Sequence, residues 1–304
     1  MPALRHAILG AGGVGGTMAA CLAHIGESVT LIVRPQSVGT YPTEIRLESP
    51  FGNIRVPVAH AHSVPAVDVL WITTKATQLD SALKPIPTSD TAQAIVPLLN
   101  GIDHLAVLRE RYGQQRVIPA TIAGEMERVA PGSFVHRTPF LFLNLSSSGR
   151  GLLGQMMASL ERMGLECRFI DDEPTLMWSK IVFLAPMALS TTAADMPIGG
   201  VREDATWRGL WESCVRETCA VAIAEGAKVD PDAVLQRMRQ APGAMRSSMQ
   251  KDVDRGKAPE LDAIAGPILR AGTRYGIKTP ATEKLAANVE RRAQALASQA
   301  SRVV

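Results

Sequence analysis

The order of apolar and polar residues divides the chain into two parts. In residues 5–171, short β-branched and apolar runs alternate with helical stretches, which is typical of a mostly parallel sheet covered by helices on both faces. Strands are predicted at residues 6–9, 28–33, 67–73, 94–99, 117–122 and 140–145. From Leu176 onward, apolar residues recur at helical spacing and no strand is predicted. The prediction is an α/β chain, with a doubly wound sheet in residues 1–172 and an all-helical domain in residues 173–304.

Two further segments of the first part have the pattern of hairpins. Residues 45–58 alternate on either side of the turn sequence Pro-Phe-Gly-Asn, and residues 126–137 alternate on either side of Ala-Pro-Gly. Such turn residues between alternating runs favour antiparallel pairing. We expect both hairpins to be added to the main sheet.

Composition narrows the class of protein. Of 304 residues, 46% are apolar and 20% charged, and the net charge is only +3, so a soluble globular protein without a nucleic-acid surface is expected. The four cysteines lack C-x-x-C spacing, which argues against a zinc site or redox pair and favours a cytoplasmic location. No signal peptide is recognised, and we expect no apolar run of the roughly 18 to 20 residues that span a membrane.

A glycine motif follows the first predicted strand and begins a predicted amphipathic helix that ends near Ile25. In this strand-turn-helix context, G-x-G-x-x-G predicts a Rossmann-type dinucleotide site, in which helix amides bind the pyrophosphate. A glycine-rich turn without a ligand is the alternative. The candidate cofactor residues of the motif are Gly10, Gly12, Gly13, Val14 and Gly15.

The end of the second strand indicates which dinucleotide is bound. No acidic residue occurs from Ser28 through Thr43, and Arg34 stands where NAD-specific sites usually carry a carboxylate. A guanidinium there can pair with a 2′-phosphate, so NADP(H) is favoured, although Arg34 could also be an ordinary solvated arginine. Lys75 and Asn100 follow the third and fourth strands, at the edge where open α/β sheets bind ligands, but each could equally be a turn residue.

Together with these positions, the segment between Ser247 and Pro280 resembles the ketopantoate reductase (2-dehydropantoate 2-reductase) family. The resemblance covers nearly the whole chain and implies a Rossmann domain followed by a helical domain. Its C-terminal signature is similar to Ser-Ser-Met-Gln-Lys-Asp-Val at residues 247–253, followed by Gly256, Glu260, Asp262, Gly266, Gly276 and Pro280.

The resemblance implies a role for each matching residue. Lys180 matches the general acid and Glu260 the carboxylate beside it, which also contacts the cofactor. Asn100 matches a contact to substrate and cofactor, Ser248 a hydroxyl that holds substrate, and Lys75 a cofactor contact. A positioned ammonium suits the reaction, because hydride delivery to a ketone develops negative charge on oxygen. The alternatives are an interdomain salt bridge between Lys180 and Glu260, and a helix cap at Ser248.

The chain departs from the family pattern beside Lys180. Family members carry asparagines four and eight residues after the lysine, where this chain has Leu184 and Ala188. These positions share a helix face with Lys180, so a more apolar substrate wall is expected. Pro186 between them should disturb the helix.

Three functions follow from these residues. The first is NADPH-dependent reduction of 2-dehydropantoate to pantoate, a step toward pantothenate and coenzyme A. The second is the same reaction on another, more apolar 2-oxo acid, and the third is a non-catalytic NADP(H)-binding sensor. In each case the partner is a small molecule, with no nucleic acid, membrane or metal, and a homodimer is possible.

Overall fold

A computed structural model describes residues 3–88 and 91–300 of the chain. The chain forms two compact units, the first comprising Met1–Leu99 with Asp103–Leu176 and the second comprising Asn100–Ile102 with Met177–Val304. The first unit is mixed α/β and the second is helical, which confirms the predicted fold class. The main division falls within a helix, between Leu176 and Met177, and the domain boundary inferred from the sequence stays a prediction.

The strands of the described chain all lie in the first unit. They are β1 Arg5–Leu9, β2 Ser28–Ile32, β3 Glu44–Glu48, β4 Ile54–Pro57, β5 Ala59–Ala61, β6 Val67–Ile72, β7 Ala92–Pro97, β8 Ala120–Ala123, β9 Met126–Ala130, β10 Ser133–His136, β11 Phe142–Ser146 and β12 Glu166–Ile170. The helices are α1 Gly13–His24, α2 Leu79–Leu83, α3 His104–Tyr112, α4 Arg150–Met163, α5 Glu173–Ala194, α6 Ile198–Glu203, α7 Ala205–Ala224, α8 Pro231–Arg239, α9 Ser248–Asp254, α10 Leu261–Tyr275 and α11 Pro280–Ala300.

The main sheet has the predicted parallel character. Its strand order is β5-β2-β1-β6-β7, and Leu9 at the end of β1 lies opposite Ile32 of β2 and Ile72 of β6. The chain therefore leaves β1 between two strands that lie on opposite sides of it, which is the topological switch point where open sheets bind ligands. This register brings the carboxyl ends of β1, β2 and β6 to one edge.

The two predicted hairpins form, but not as additions to the main sheet. β3 pairs with β4 and β9 pairs with β10, both antiparallel, and the two hairpins join through parallel pairing of β3 and β10 into a separate sheet, β4-β3-β10-β9. The expectation of one enlarged sheet was therefore wrong. Strands β3 and β4 alternate buried and exposed residues, so this second sheet has one apolar face that needs cover.

Helix α1 supplies that cover and differs from its predicted amphipathic form. Residues 15–22 are all buried, because α1 packs against β1 and β2 and also against all four strands of the second sheet. A helix covered on both sides has no polar stripe. A third sheet, β12-β11-β8, completes the strands, and neither β5 nor β12 was predicted.

Helix α5 contributes residues to the apolar core of the second unit. This helix is long and apolar enough for a membrane span by length and composition, but 72% of its most apolar window is buried inside the protein, as in the core helix of a globular protein. Our expectation that no such segment exists was therefore wrong. Pro186 lies inside α5, which nevertheless continues from Glu173 to Ala194.

A buried histidine in β1 makes the stability of the protein depend on pH. His6 is 1% exposed, and Trp71 donates its Nε1–H to His6 Nδ1 at 3.0 Å. Burial lowers the pKa of His6 from 6.5 to about 4, against an opposing effect of Asp68. Between these values the unfolded chain binds more protons, so this contribution to stability is complete above pH 6.5 and is lost as the pH falls toward 4.

We expect protonation of His6 to lower the free energy of unfolding by about 3 kcal/mol as the pH falls through this window, because each pKa unit corresponds to about 1.36 kcal/mol. The variant His6→Gln keeps an acceptor for Trp71 but does not titrate, so its urea-unfolding free energy should fall less steeply between pH 7 and pH 4. Equal pH dependence in both proteins would contradict this assignment.

Candidate functional site

Two glycines of the turn after β1, Gly10 and Gly15, have no room for a side chain. Gly10 has φ +112°, and a Cβ at Gly15 would lie 2.0 Å from the Gly10 carbonyl oxygen. Thr73, at the end of β6, donates its hydroxyl to the same oxygen at 2.7 Å. Gly10 and Gly15 therefore allow the close packing of the turn, and Thr73 is a partner of the turn that the sequence did not indicate.

Gly12 is held differently from its neighbours. It is the N-cap residue of α1, with no side-chain hydrogen bond capping the helix, and an added Cβ would meet no heavy atom within 4 Å. The first amides of a helix have no intrahelical acceptor, so the backbone here can approach and bind a phosphate group. Val14, in the first turn, is instead half-buried against the core of this unit.

Two basic side chains follow neighbouring strands at this edge. Arg34, two residues after β2, is exposed, and its side chain makes no hydrogen bond or ion pair with any described residue. Lys75 is half-buried and precedes the short 3-10 helix Ala76–Gln78. The parallel register of β1, β2 and β6 brings both to the edge that carries the glycine turn. A free guanidinium at the end of β2 suits a phosphate on the adenosine ribose.

A second group of predicted residues lies together in the helical unit. Lys180 is half-buried on α5, and burial lowers its pKa from 10.5 to about 8, against the opposing charge of Glu260. Glu260 immediately precedes α10 and accepts a hydrogen bond at 3.4 Å from Asn100 Nδ2. An ammonium whose pKa lies near neutral pH, with a carboxylate beside it, can release a proton and take one up again.

Gly101 fixes Asn100 beside α10. Its φ is +83°, and a Cβ there would lie 2.4 Å from the carbonyl oxygen of Ala263. Only a glycine allows the chain to pass so close in this conformation. This contact explains why a glycine follows Asn100.

Ser248 is not the cap of helix α9. It is exposed at the start of α9, and its hydroxyl makes no hydrogen bond with the residues described. The cap is Ser247, which accepts from Gln250 N at 3.1 Å and from the Thr191 hydroxyl at 3.0 Å. The alternative that Ser248 caps the helix was therefore wrong, because the cap is the preceding residue. Ser247 also links α9 to α5 through its hydrogen bond with Thr191.

The two departures from the family pattern differ in exposure. Leu184 is half-buried at the margin of the helical core, whereas Ala188 is 1% exposed within it. Of the pair, only Leu184 has a partly exposed side chain.

Fold and local geometry together define a class. A parallel sheet with a glycine turn at its switch point is a Rossmann-type dinucleotide-binding fold, and a half-buried lysine with a perturbed pKa beside a carboxylate is typical of acid-base chemistry. The class is a nicotinamide-dependent oxidoreductase with a helical second part.

Comparison with known proteins identifies the family. The family model described as "Ketopantoate reductase PanE/ApbA" matches residues 6–144, and that described as "Ketopantoate reductase PanE/ApbA C terminal" matches residues 174–293. A 2-dehydropantoate 2-reductase of Caulobacter vibrioides is 30% identical over 92% of this chain and 96% of its own length. The chain belongs to the ketopantoate reductase family and is a 2-dehydropantoate 2-reductase-like oxidoreductase.

Solved structures agree on the fold. A PanE/ApbA family ketopantoate reductase from Ralstonia eutropha JMP134 has a TM-score of 0.86 at 26% identity and covers 96% of this chain and 99% of its own. A D-mandelate dehydrogenase, solved with NADH and anilino(oxo)acetate, has a TM-score of 0.84 at 21% identity and covers 96% and 99%. The second likeness concerns the fold alone.

Two glycines of the turn allow a matched test of the cofactor site. Gly12→Ala places a methyl group in open space at φ −84°, so we expect an unchanged melting temperature but at least about tenfold weaker NADPH binding, because the methyl occupies the approach to the helix amides. Gly15→Ala should instead lower the melting temperature, because its methyl group meets backbone. Fluorescence titration and thermal melting measure the two effects, and unaltered NADPH affinity in Gly12→Ala would contradict the assignment.

Proposed function

We propose that the protein reduces the 2-oxo group of 2-dehydropantoate to give pantoate, with NADPH as the reductant. The observation that carries this proposal is the group of Lys180, Glu260 and Asn100, in which burial brings the pKa of an ammonium to about 8. Family membership supports the reaction class. We also propose a cytoplasmic location and a small 2-oxo acid as the partner; the four free cysteines support a reducing compartment.

The residues at the sheet edge fit NADP(H). The open position at Gly12 and the uncapped first turn of α1 suit the pyrophosphate, and the unpaired Arg34 suits a 2′-phosphate. Gly10, Gly13, Val14, Gly15 and Lys75 complete the proposed cofactor set of the first unit. When bound, the nicotinamide supplies the hydride.

The helical unit supplies the proton. As hydride reaches the carbonyl carbon, its oxygen gains negative charge, and Lys180 donates a hydrogen bond and then a proton to that oxygen. Glu260 keeps a large fraction of Lys180 protonated near neutral pH, because its charge opposes the effect of burial. Asn100 orients the carboxylate through its hydrogen bond. The overall balance is one hydride and one proton added to the ketone to form the alcohol.

Replacement of Lys180 tests its role as acid. Lys180→Ala should lower kcat by roughly 10² to 10⁴ and leave the dissociation constant for NADPH almost unchanged. Lys180→Arg keeps the positive charge beside Glu260 but cannot give up its proton at working pH, so it should be similarly impaired. If Lys180→Arg retains near-normal kcat, the lysine serves as an ion-pair partner only and the proposal fails.

The pH profile provides an independent prediction. Only protonated Lys180 donates, so the rate of reduction should fall as the pH rises through about 8. Glu260→Gln keeps an acceptor for Asn100 but removes the charge that raises the pKa of Lys180, so the falling limb should move to lower pH. Initial rates with saturating NADPH, measured across the pH range, give this profile. If the rate falls at the same pH in both proteins, Glu260 does not affect the pKa of Lys180.

A second candidate substrate is a 2-oxo acid with an apolar side chain. Its support is Leu184, whose half-buried side chain lies one helical turn from Lys180 where the family has an amide. A polar substrate group without a partner there loses roughly 1 to 3 kcal/mol if it is buried.

Two acids that differ by one hydroxyl distinguish the candidates. We expect a higher kcat/KM for 2-dehydropantoate than for 3,3-dimethyl-2-oxobutanoate, which has the same carbon skeleton without the hydroxyl. Leu184→Asn should widen that ratio by about tenfold, because the amide can pair with the hydroxyl. The opposite preference in the natural protein would favour the apolar substrate.

A further inference from the structure

Arg128 reaches the glycine turn from the second sheet. This exposed residue of β9 donates an Nη1–H to the carbonyl oxygen of Ala11 at 3.3 Å, and Ala11 lies between Gly10 and Gly12. The bond is long for its type, and it uses one of the five N–H groups of the guanidinium. The others are available to a ligand at the turn.

The strand that carries Arg128 is fixed against the start of α1. The carbonyl oxygen of Met126 lies 2.3 Å from the position of a Cβ on Gly13. Phe134, the β10 partner of Arg128, places its ring 2.0 Å from the position of a Cβ on Gly16. Because two glycines of α1 admit these close contacts, the backbone of Arg128 is held beside the turn before any ligand binds.

The charge of Arg128 is not neutralised by its neighbours. Arg137 engages the adjacent carboxylates, Glu127 at 3.1 Å and Glu125 at 3.7 Å. Within the described chain no carboxylate pairs with Arg128. An unpaired guanidinium and the N-terminus of α1 therefore present positive charge to the same turn.

We propose that Arg128 binds the pyrophosphate of the dinucleotide, which makes it a cofactor-binding residue contributed by the second sheet. The proposal rests on the proposed cofactor site. Pyrophosphate is the group favoured, because Ala11 belongs to the turn that approaches it. The 2′-phosphate is left to Arg34, which follows β2. NADPH and NADH share the pyrophosphate, so Arg128 contributes to affinity without choosing between them.

Dissociation constants measured by fluorescence titration, with no 2-oxo acid present, test this proposal. Arg128→Ala should raise the dissociation constants of NADPH and NADH by similar factors of about 10 to 100, which is the range for the loss of a charge-assisted contact. Arg34→Ala should raise the dissociation constant of NADPH far more than that of NADH. Arg46→Ala removes an exposed arginine of the same sheet that pairs with Glu44, and it should change neither constant.

Arg128→Gln separates ligand binding from bracing of the turn. Its amide can still donate to the Ala11 carbonyl but carries no charge, so it should lose affinity as Arg128→Ala does. The proposal would be overturned if Arg128→Gln bound both dinucleotides with full affinity, or if Arg128→Ala lost affinity for NADPH alone. Either result would leave the proposed function intact. If the natural protein bound neither dinucleotide, the proposed function would fail as well.

Discussion

The proton affinity of Lys180 depends on the balance between burial and charge. Burial alone would favour a neutral amine, and the carboxylate of Glu260 works against it. Asn100 holds that carboxylate by a hydrogen bond, and Gly101 lets the chain pass against α10 so that Asn100 can do so. Residues far apart in sequence thus set the proton affinity of one nitrogen, which is how a structure tunes a general acid.

The shape of the glycine turn depends on backbone geometry. At Gly13, Gly15 and Gly16, a single methyl group would collide with a neighbouring strand, a carbonyl or a ring. Gly12 has no such neighbour. Three glycines therefore serve packing of α1, whereas Gly12 leaves the helix N-terminus accessible.

The sequence predicted what local patterns determine. Strands β1, β2, β6 and β7, the two hairpins and the change to helices were expected, because alternation and turn residues are local signals. The separate hairpin sheet, the fully buried α1 and strands β5 and β12 were not, because pairing partners and two-sided cover depend on residues distant in sequence. Similarly, Lys180, Glu260 and Asn100 were named by family resemblance, whereas Thr73, Ser247 and Arg128 act through contacts that no local motif records.

The most direct test is an NMR titration of the Lys180 side-chain nitrogen in the natural protein and in Glu260→Gln. The account predicts a midpoint of about 8 in the natural protein and a lower midpoint in the variant. A midpoint near the ordinary 10.5 in both proteins would show that Lys180 is neither desolvated nor coupled to Glu260, and would contradict its role as the proton donor.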